Sequence, residues 1–484
     1  MPTINDYLKF AETALASYAT NLVAGATGPN RQRLQDADMP LAQANKFDET
    51  WGVIEQSPSP GDGFSAVLLQ NRSTQEKVLA VRGTESSLRF IDYITDVVNI
   101  GLLGSVTGMS QYSSLEAFYS SLLANGKLGA TEQVTVTGHS LGGFLAQAFT
   151  ARHSSVVSAA YTYNAPGFGG LAGSAISQMW AFMGVAESPA VISKIFNVRA
   201  TDGISLTAGL GQVIGSVQQV RIEAGTADPI YYHSITSLTD TLSIYKIYSA
   251  LQPSLTTDQV ANLFISTSLG NRKLEGALDA LRTVFVNSAS NDAGRTPTAD
   301  REAFFTNLTA MTNATGPSSF QVLKGQVQLK AANSGFVAMA QAHTNTALAY
   351  RYAMLELQPF AVVADTDALN RTLYGNYAQA LSLYDASTGT GNLTQQWMTD
   401  RAALLQALLT RNQQDNNTGQ IYDTAAPAGQ VTFFDFMDSS NPATPTLIST
   451  LRQGGTTLPN QYIAFGDDQA NTLTGSDINY RIAA

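Results

Sequence analysis

Apolar positions along the first half of the chain alternate between helical and strand-like spacing. Residues 1–25 carry apolar side chains at steps of three and four, which predicts an amphipathic helix. Short β-rich runs at 64–69 and 77–81 flank a polar turn and predict a hairpin. Further runs predict strands at 133–137, 158–163, 194–199 and 217–222, and helices at 111–125 and 141–152. Strands that alternate with helices predict an α/β fold with a mainly parallel sheet.

The spacing becomes helical from about residue 240 onward. Apolar residues repeat at helical steps in 274–285, 347–357 and 400–409, so we expect a second, mainly helical domain. A strand-like run at 430–434 precedes a tail rich in Gly, Asp and Asn. The sequence thus predicts three parts: an α/β domain at 1–245, a helical domain at 246–425 and a β-rich tail at 426–484.

Composition narrows the classes of function. The chain has 484 residues, enough for two or three domains, and a formal net charge of −10, which disfavours nucleic acid as a partner. It has no cysteine, which excludes disulfides, thiolate zinc sites and a cysteine nucleophile. Only 13% of residues are charged, a composition common in exported bacterial proteins. The N-terminus shows no signal-peptide pattern, so we expect a Sec signal to be absent or already removed, and without a long apolar stretch we expect no spanning helix.

The run Gly138-His139-Ser140-Leu141-Gly142 has the form G-x-S-x-G and joins a predicted strand to a predicted helix. Glycines at both ends permit a sharp turn with close packing, and such a turn exposes the serine hydroxyl as a nucleophile. The N–H of Leu141 at the helix N-terminus can bind an oxyanion. The alternative interpretation is a plain tight turn. The context of strand and small-residue helix favours the nucleophile.

A serine nucleophile needs a general base, and the chain has four histidines. His139 belongs to the turn, and we expect its side chain to point away from Ser140. His153 ends the following helix, where it suits a charge partner, and His343 lies in the second domain. His233, after the last predicted strand, is therefore the expected base.

The base needs a carboxylate that lies between the serine and the histidine in the chain order typical of such sites. Four acidic residues qualify: Glu187, Asp202, Glu223 and Asp228. Asp202 follows a predicted strand, at the sheet edge where active-site loops gather. We expect Asp202 to be the acid, with Asp228 as the alternative.

The second oxyanion donor should come from the end of an earlier strand. Val81-Arg82-Gly83-Thr84 ends the predicted hairpin, where Gly83 permits close approach and Thr84 offers an N–H and a hydroxyl. We therefore expect Thr84 and Leu141 to form the oxyanion hole. A simple strand-ending turn is the alternative.

Together these motifs resemble the class 3 lipases, the family of the filamentous-fungal lipases. The matching segments are Val81-Arg82-Gly83-Thr84, Asp92-Tyr93-Ile94-Thr95-Asp96, Gly138-His139-Ser140-Leu141-Gly142-Gly143, Tyr163-Asn164-Ala165-Pro166-Gly167, Asn197-Val198-Arg199-Ala200-Thr201-Asp202 and His233. The resemblance covers roughly residues 50–240. It implies an α/β-hydrolase fold and acyl-enzyme chemistry on lipid esters without a cofactor.

The sequence indicates the lid and the substrate pocket less clearly than the catalytic residues. The family's lid follows the RGT strand, yet 97–109 is rich in glycine here. A second candidate is 176–185, whose Met179, Trp180 and Phe182 are expected to touch the substrate or a lipid surface. A buried packing helix is the alternative for that segment.

The tail carries a second resemblance, to one degenerate unit of the RTX calcium repeat. This resemblance implies a secreted bacterial protein that is exported by a type I-like route. Its candidate Ca²⁺ ligands are Asp467, Asp468, Asn471 and Asp477. A polar turn without calcium is the alternative.

The expected activity is hydrolysis of lipid esters by a triacylglycerol lipase that uses Ser140, His233 and Asp202, with transient contact at a lipid interface. One alternative keeps the chemistry and makes phospholipids the substrate, as in a phospholipase A1. The other is a non-catalytic module of a large RTX surface protein.

Overall fold

The computed structural model describes most of the chain in two compact units. The described residues are 2–25, 27–58, 62–83, 106–167, 188–201, 213–222, 229–267, 274–286, 301–418, 430–435, 446–452, 461–465 and 480–483. The first unit comprises 1–222 with 226–246, and the second comprises 223–225 with 247–484.

Among the described residues of the first unit, a seven-stranded sheet forms the centre. Its strands lie side by side in sequence order from β1 to β7. The strands are β1 Trp51–Gln56, β2 Ala66–Asn71, β3 Lys77–Val81, β4 Val134–His139, β5 Val157–Tyr163, β6 Ile195–Ala200 and β7 Ser216–Val220. The first two pairings are antiparallel, and all pairings from β3 to β7 are parallel. The carboxyl ends of β3 to β6 therefore lie along one edge of the sheet.

Helices cover both faces of this sheet, which confirms the α/β prediction. The described helices up to residue 251 are α1 Ile4–Ala16, α2 Arg31–Gln35, α3 Leu41–Thr50, α4 Val106–Ala124, α5 Leu141–Arg152, α6 Pro189–Ile192, α7 Pro229–His233 and α8 Ile235–Leu251. α1 begins with a capping box in which the Thr3 and Asp6 side chains each bind the other's backbone N–H. The predicted helix over 1–25 ends earlier than expected, at Ala16.

The two faces of the sheet carry different side chains because successive strand residues point to opposite sides. On one face, Val134 and Val136 join the apolar core with α4 and α5, where Leu115 and Leu145 are fully buried. On the other face, the Thr137 hydroxyl donates to the Phe10 carbonyl of α1 at 3.0 Å. Both faces of β4 are thus covered, which holds the strand before Ser140 rigidly.

The second unit contains the predicted helices. Its elements are α9 Thr257–Thr267, α10 Leu274–Val286, α11 Arg301–Asn313, α12 Phe320–Leu323, β8 Val327–Ala331, α13 Phe336–Gln341, α14 Asn345–Leu355, β9 Phe360–Ala364, α15 Asp367–Tyr374, a 3₁₀ turn Gly375–Tyr377, α16 Gln395–Thr418, β10 Gln430–Asp435, β11 Thr446–Arg452, β12 Gln461–Phe465 and β13 Tyr480–Ala483. The antiparallel pair β8–β9 was not predicted from the helical spacing. The tail strands form a sheet in the order β11-β10-β12-β13.

None of the helices in the described part of the chain has the length and apolar character needed to cross a bilayer.

Candidate active site

Ser140 lies between β4 and α5 in a strained backbone conformation. Its φ is 55° and its ψ is −126°, a combination that residues with a side chain seldom adopt. The Ser140 N–H donates to the Tyr163 carbonyl at 2.9 Å, and the Ser140 carbonyl accepts from Gly143 N–H at 3.0 Å. Strand pairing on one side and the first helical turn on the other thus hold the serine in this geometry.

Three glycines make the turn sterically possible. A Cβ atom on Gly138 would overlap the backbone of Gly142, and one on Gly142 would overlap the Val81 carbonyl oxygen. A Cβ on Gly143 would lie 2.7 Å from the Ala165 Cβ. The strand before Ser140 and the helix after it therefore approach more closely than any side chain would allow. This packing supports the nucleophile-turn interpretation over a plain turn.

Leu141 is the first residue of α5, and it is buried. The first N–H groups of a helix have no partner within the helix, and they carry the positive end of its dipole. Leu141 therefore stands where the sequence places one oxyanion donor.

The end of β3 comes directly beside the serine. A Cβ on Gly83 would lie 3.3 Å from the Ser140 Cβ, 2.7 Å from the His139 carbonyl oxygen and 2.6 Å from the Tyr18 hydroxyl. Gly83 thus permits the approach that the sequence predicted, and Thr84, the next residue, is outside the described residues.

His233 is buried at the end of α7, and its ring centroid lies 4.9 Å from that of His139, the residue before the serine. Burial, and then the neighbouring His139, hold the pKa of His233 well below its ordinary value near 6.5. A neutral imidazole is the form that can accept a proton. The structure therefore brings the predicted base next to the predicted nucleophile turn.

Asn164 ties the base segment to the strand that precedes Asp202. Its side-chain amide donates to the His233 carbonyl at 2.9 Å, and its side-chain oxygen accepts from the Ala200 N–H at 2.9 Å. Ala200 ends β6, and Thr201 donates its N–H to Val220. The end of β6 is thus hydrogen-bonded through Asn164 to the His233 backbone.

His139 makes two hydrogen bonds that sequence analysis missed. Its Nε2 is 2.8 Å from the His233 carbonyl, and its Nδ1 is 2.8 Å from the Tyr18 hydroxyl. Burial lowers the pKa of His139 to about 4, although the hydrogen bond to the His233 backbone opposes this shift. The position of His139 beside the serine, in a chain with four histidines, was the only available signal.

The remaining two histidines are His153 in the first unit and His343 in the second. His153 is the C-cap residue of α5, and its Nε2 lies 2.9 Å from a Glu116 carboxylate oxygen. His343 is exposed in the second unit.

Several predicted site residues lie outside the described residues. They are Thr84 and Asp202, the substrate residues Met179, Trp180 and Phe182, and the calcium ligands Asp467, Asp468, Asn471 and Asp477. The alternative acid Asp228 and the lid candidate 176–185 also fall there. Their roles stay predictions. Within the described part of the chain, no group of three or more His, Asp or Glu residues is placed to hold a metal ion.

Comparison with known proteins returned neither a matching family model nor a matching curated relative. Among solved structures, the chain is 18% identical to the Lip2 lipase from Yarrowia lipolytica, covering 46% of this chain and 80% of that one, with a TM-score of 0.30. Lipase II from Rhizopus niveus is 19% identical over 42% of this chain and 72% of its own, with a TM-score of 0.29. A triacylglycerol lipase described as having a serine protease triad is 17% identical over 48% and 92%, with a TM-score of 0.32.

Proposed function

We propose that this chain is a serine carboxylic-ester hydrolase that acts on lipid esters, with Ser140 as nucleophile and His233 as general base. The observation that carries the proposal is the strained Ser140 at a glycine-packed strand–helix turn, with a buried, neutral His233 held beside that turn. Backbone strain of this kind persists only where surrounding contacts enforce it, and it clusters at functional sites.

The proposed reaction is acyl transfer in two steps. The Ser140 hydroxyl oxygen attacks the ester carbonyl carbon while His233 takes the hydroxyl proton. The negative oxygen of the tetrahedral intermediate accepts hydrogen bonds from the N–H groups of Leu141 and Thr84. The intermediate then collapses, the ester C–O bond breaks, and His233 gives its proton to the leaving alcohol. Water repeats the sequence on the acyl-serine and releases the acid.

Asp202 completes the proposal as the residue that orients His233. Its carboxylate would accept the hydrogen on the second ring nitrogen of His233 and stabilise the imidazolium that forms. The hydrogen bond from the Ala200 N–H to Asn164 supports this choice, because it fixes the chain two residues before Asp202 relative to the His233 backbone. Asp228 is the alternative, so Asp202→Asn and Asp228→Asn form a direct comparison.

The lipid-ester substrate rests on the combined motifs around Arg82-Gly83-Thr84, Ser140 and His233. Hydrolysis rates on emulsified triacylglycerol and on phosphatidylcholine vesicles would distinguish a triacylglycerol lipase from a phospholipase A1. Secretion, contact with a lipid interface and calcium binding in the tail stay predictions of the sequence.

The decisive experiment uses Ser140→Ala, assayed on a soluble short-chain p-nitrophenyl ester and with a fluorophosphonate probe. We expect loss of hydrolysis and of covalent labelling, with a thermal midpoint close to that of the wild type. Ser243→Ala is the matched control, since Ser243 is also buried in the first unit and donates to the Thr239 carbonyl within α8. Hydrolysis or labelling that persists in Ser140→Ala would refute the proposal and favour a non-catalytic module.

A further inference from the structure

The backbone carbonyl of His233 accepts two side-chain hydrogen bonds, which is the starting observation. His139 Nε2 lies 2.8 Å from this oxygen and Asn164 Nδ2 lies 2.9 Å from it. The carbonyl belongs to the last residue of α7, where the helix itself supplies no donor. The position of the base is therefore set from outside its own helix.

The direction of the hydrogen bonds through His139 follows from elementary chemistry. A carbonyl oxygen can only accept, so His139 Nε2 carries the hydrogen. Because burial keeps His139 neutral, its Nδ1 has a lone pair and accepts the Tyr18 hydroxyl hydrogen. The Tyr18 hydroxyl packs against Gly83, where an added Cβ would come within 2.6 Å of it. One chain of hydrogen bonds therefore runs from Tyr18 through His139 to His233, and its Tyr18 end lies against the end of β3.

Asn164 makes a second connection to the same carbonyl. Its φ is 44°, a left-handed conformation that asparagine tolerates better than most residues. From this position one side-chain amide reaches both His233 and the Ala200 N–H at the end of β6. Asn164 is fully buried, so neither hydrogen bond is exposed to competition from solvent.

We propose that His139 and Asn164 are positioning residues, which fix the His233 main chain so that its imidazole stays aligned with the Ser140 hydroxyl. This inference rests on the proposed hydrolase function. Misplacement of a catalytic group by about 1 Å can lower a rate about 100-fold. The two donors join the three parts that the reaction needs: the end of β3, the nucleophile turn and the base segment.

The uncharged state of His139 also suits this role. The ring centroids of His139 and His233 are 4.9 Å apart. A positive charge on His139 would oppose the imidazolium that forms on His233 during acyl transfer. A neutral donor holds the base without raising the energy of that charged state.

The test compares His139→Phe with His139→Gln on a soluble p-nitrophenyl ester. Phenylalanine keeps the ring volume but removes the donor, whereas glutamine can place an amide N–H near the position of Nε2. We expect His139→Phe to lower kcat at least about ten-fold with KM nearly unchanged, since alignment affects the chemical step. His139→Gln should recover most of that loss. The matched control is His153→Phe, the same substitution in the same unit, which should leave kcat unchanged.

The outcomes separate this inference from the proposed function. If Ser140→Ala is inactive while His139→Phe keeps the wild-type kcat, or if His139→Gln is as slow as His139→Phe, the positioning role is overturned and the hydrolase stands. If Ser140→Ala stays active, the proposed function itself fails. Should His139→Phe not fold, Asn164→Asp decides: it retains the oxygen that accepts from Ala200 and replaces the donor to His233 with an acceptor. A wild-type kcat in that variant overturns the proposal, and a ten-fold or larger fall supports it.

Discussion

Gly142 packs so closely on Val81 that a methyl group on the glycine would overlap the valine's carbonyl oxygen. The contact joins the first turn of α5 to the end of β3, the two places from which the oxyanion donors are proposed to come. Gly142→Ala should therefore push these elements apart. We expect a loss of about 3 kcal/mol in the free energy of unfolding, at the upper end of ordinary overpacking, measured by denaturant unfolding.

Gly52→Ala is the control for this substitution. Gly52 lies in β1 of the same unit, and an added Cβ would approach only the guanidinium end of Arg72, at 3.3 Å. We expect its effect on the free energy of unfolding to stay within about 1 kcal/mol. Equal stability losses in the two variants would contradict the steric role assigned to Gly142.

The lowered pKa of His233 predicts how activity depends on pH. In the proposed mechanism His233 must be neutral to take the Ser140 proton, and a pKa below 6.5 keeps it neutral into mildly acidic solution. We therefore expect the acidic limb of kcat/KM to have its midpoint below pH 6.5. The measurement is the pH profile on a soluble ester, with each sample returned to pH 7 to verify that activity recovers. A midpoint above 6.5 would argue against the buried, neutral base.

The buried His139 predicts a pH dependence of stability. Its folded pKa of about 4 lies below the unfolded value near 6.5, so the unfolded chain binds the extra proton first as the pH falls. The free energy of unfolding is therefore not reduced by His139 above pH 6.5. Below that pH it falls progressively down to about pH 4, by about 1.4 kcal/mol for each pH unit. His139→Gln should flatten that slope between pH 6.5 and pH 5. Identical slopes for the wild type and the variant would rule out a buried, neutral His139.

Hydrophobic periodicity was sufficient to predict most of the sheet. The hairpin of β2 and β3 and the strand–turn–helix around Ser140 follow from short β-branched runs and paired glycines, which are local signals. β1 was not predicted, because its residues Trp51 to Gln56 mix apolar and polar types and form a strand only by pairing with β2. The β8–β9 pair was hidden in the same way among helical spacings.

For the candidate site, too, local sequence signals could be recognised, whereas contacts between distant residues could not. The tight turn at Ser140 and the approach of His233 to it could be predicted, because such a turn has a sequence pattern and because histidines are few. The hydrogen bonds of His139 could not be predicted, since its partners Tyr18 and the His233 carbonyl are both more than ninety residues away in the chain. Asn164 likewise forms hydrogen bonds with backbone groups of two distant segments. Because every residue has these backbone groups, the sequence does not show which of them a side chain will bind.

Glu116 connects α4 to the end of α5 and predicts a measurable contribution to stability. Its carboxylate accepts from the Tyr112 hydroxyl at 2.5 Å and pairs with His153 at 2.9 Å. Burial alone would raise the pKa of Glu116, but the hydrogen bonds from His153 and Tyr112 outweigh it and the pKa is lowered. Glu116→Gln should lower the free energy of unfolding by about 1–2 kcal/mol at pH 7. Because a lowered pKa gives stability that is lost in acid, the difference should shrink as the pH falls below about 4.5.

Glu55→Gln provides the comparison for Glu116. Glu55 pairs with Lys127 at 4.0 Å, and both side chains are partly exposed. Such exposed pairs contribute about 0.5 kcal/mol or less. The contrast between the two substitutions, read from denaturant unfolding at pH 7, tests whether burial and geometry determine the contribution. Equal losses would contradict that interpretation.

Arg351 holds the interior of the second unit through backbone carbonyls. Its guanidinium donates to the carbonyl of Ala340 at 2.6 Å, of Leu381 at 2.9 Å and of Ala342 at 2.6 Å. Arg351→Met keeps much of the side-chain volume but leaves these three oxygens without that donor. Since an unsatisfied buried acceptor costs about 1–3 kcal/mol, we expect a loss of at least about 3 kcal/mol in total.

Arg371→Met is the matched control, because Arg371 is exposed on α15 of the same unit. This substitution should leave the free energy of unfolding almost unchanged. Hydrogen exchange would locate the effect of Arg351→Met, with faster exchange expected at α13 and α14 before global unfolding. Uniformly faster exchange across both units would mean that Arg351 contributes only to global stability. Unchanged exchange and unfolding would mean that the three carbonyls find other donors and that the arginine is not what fixes this segment.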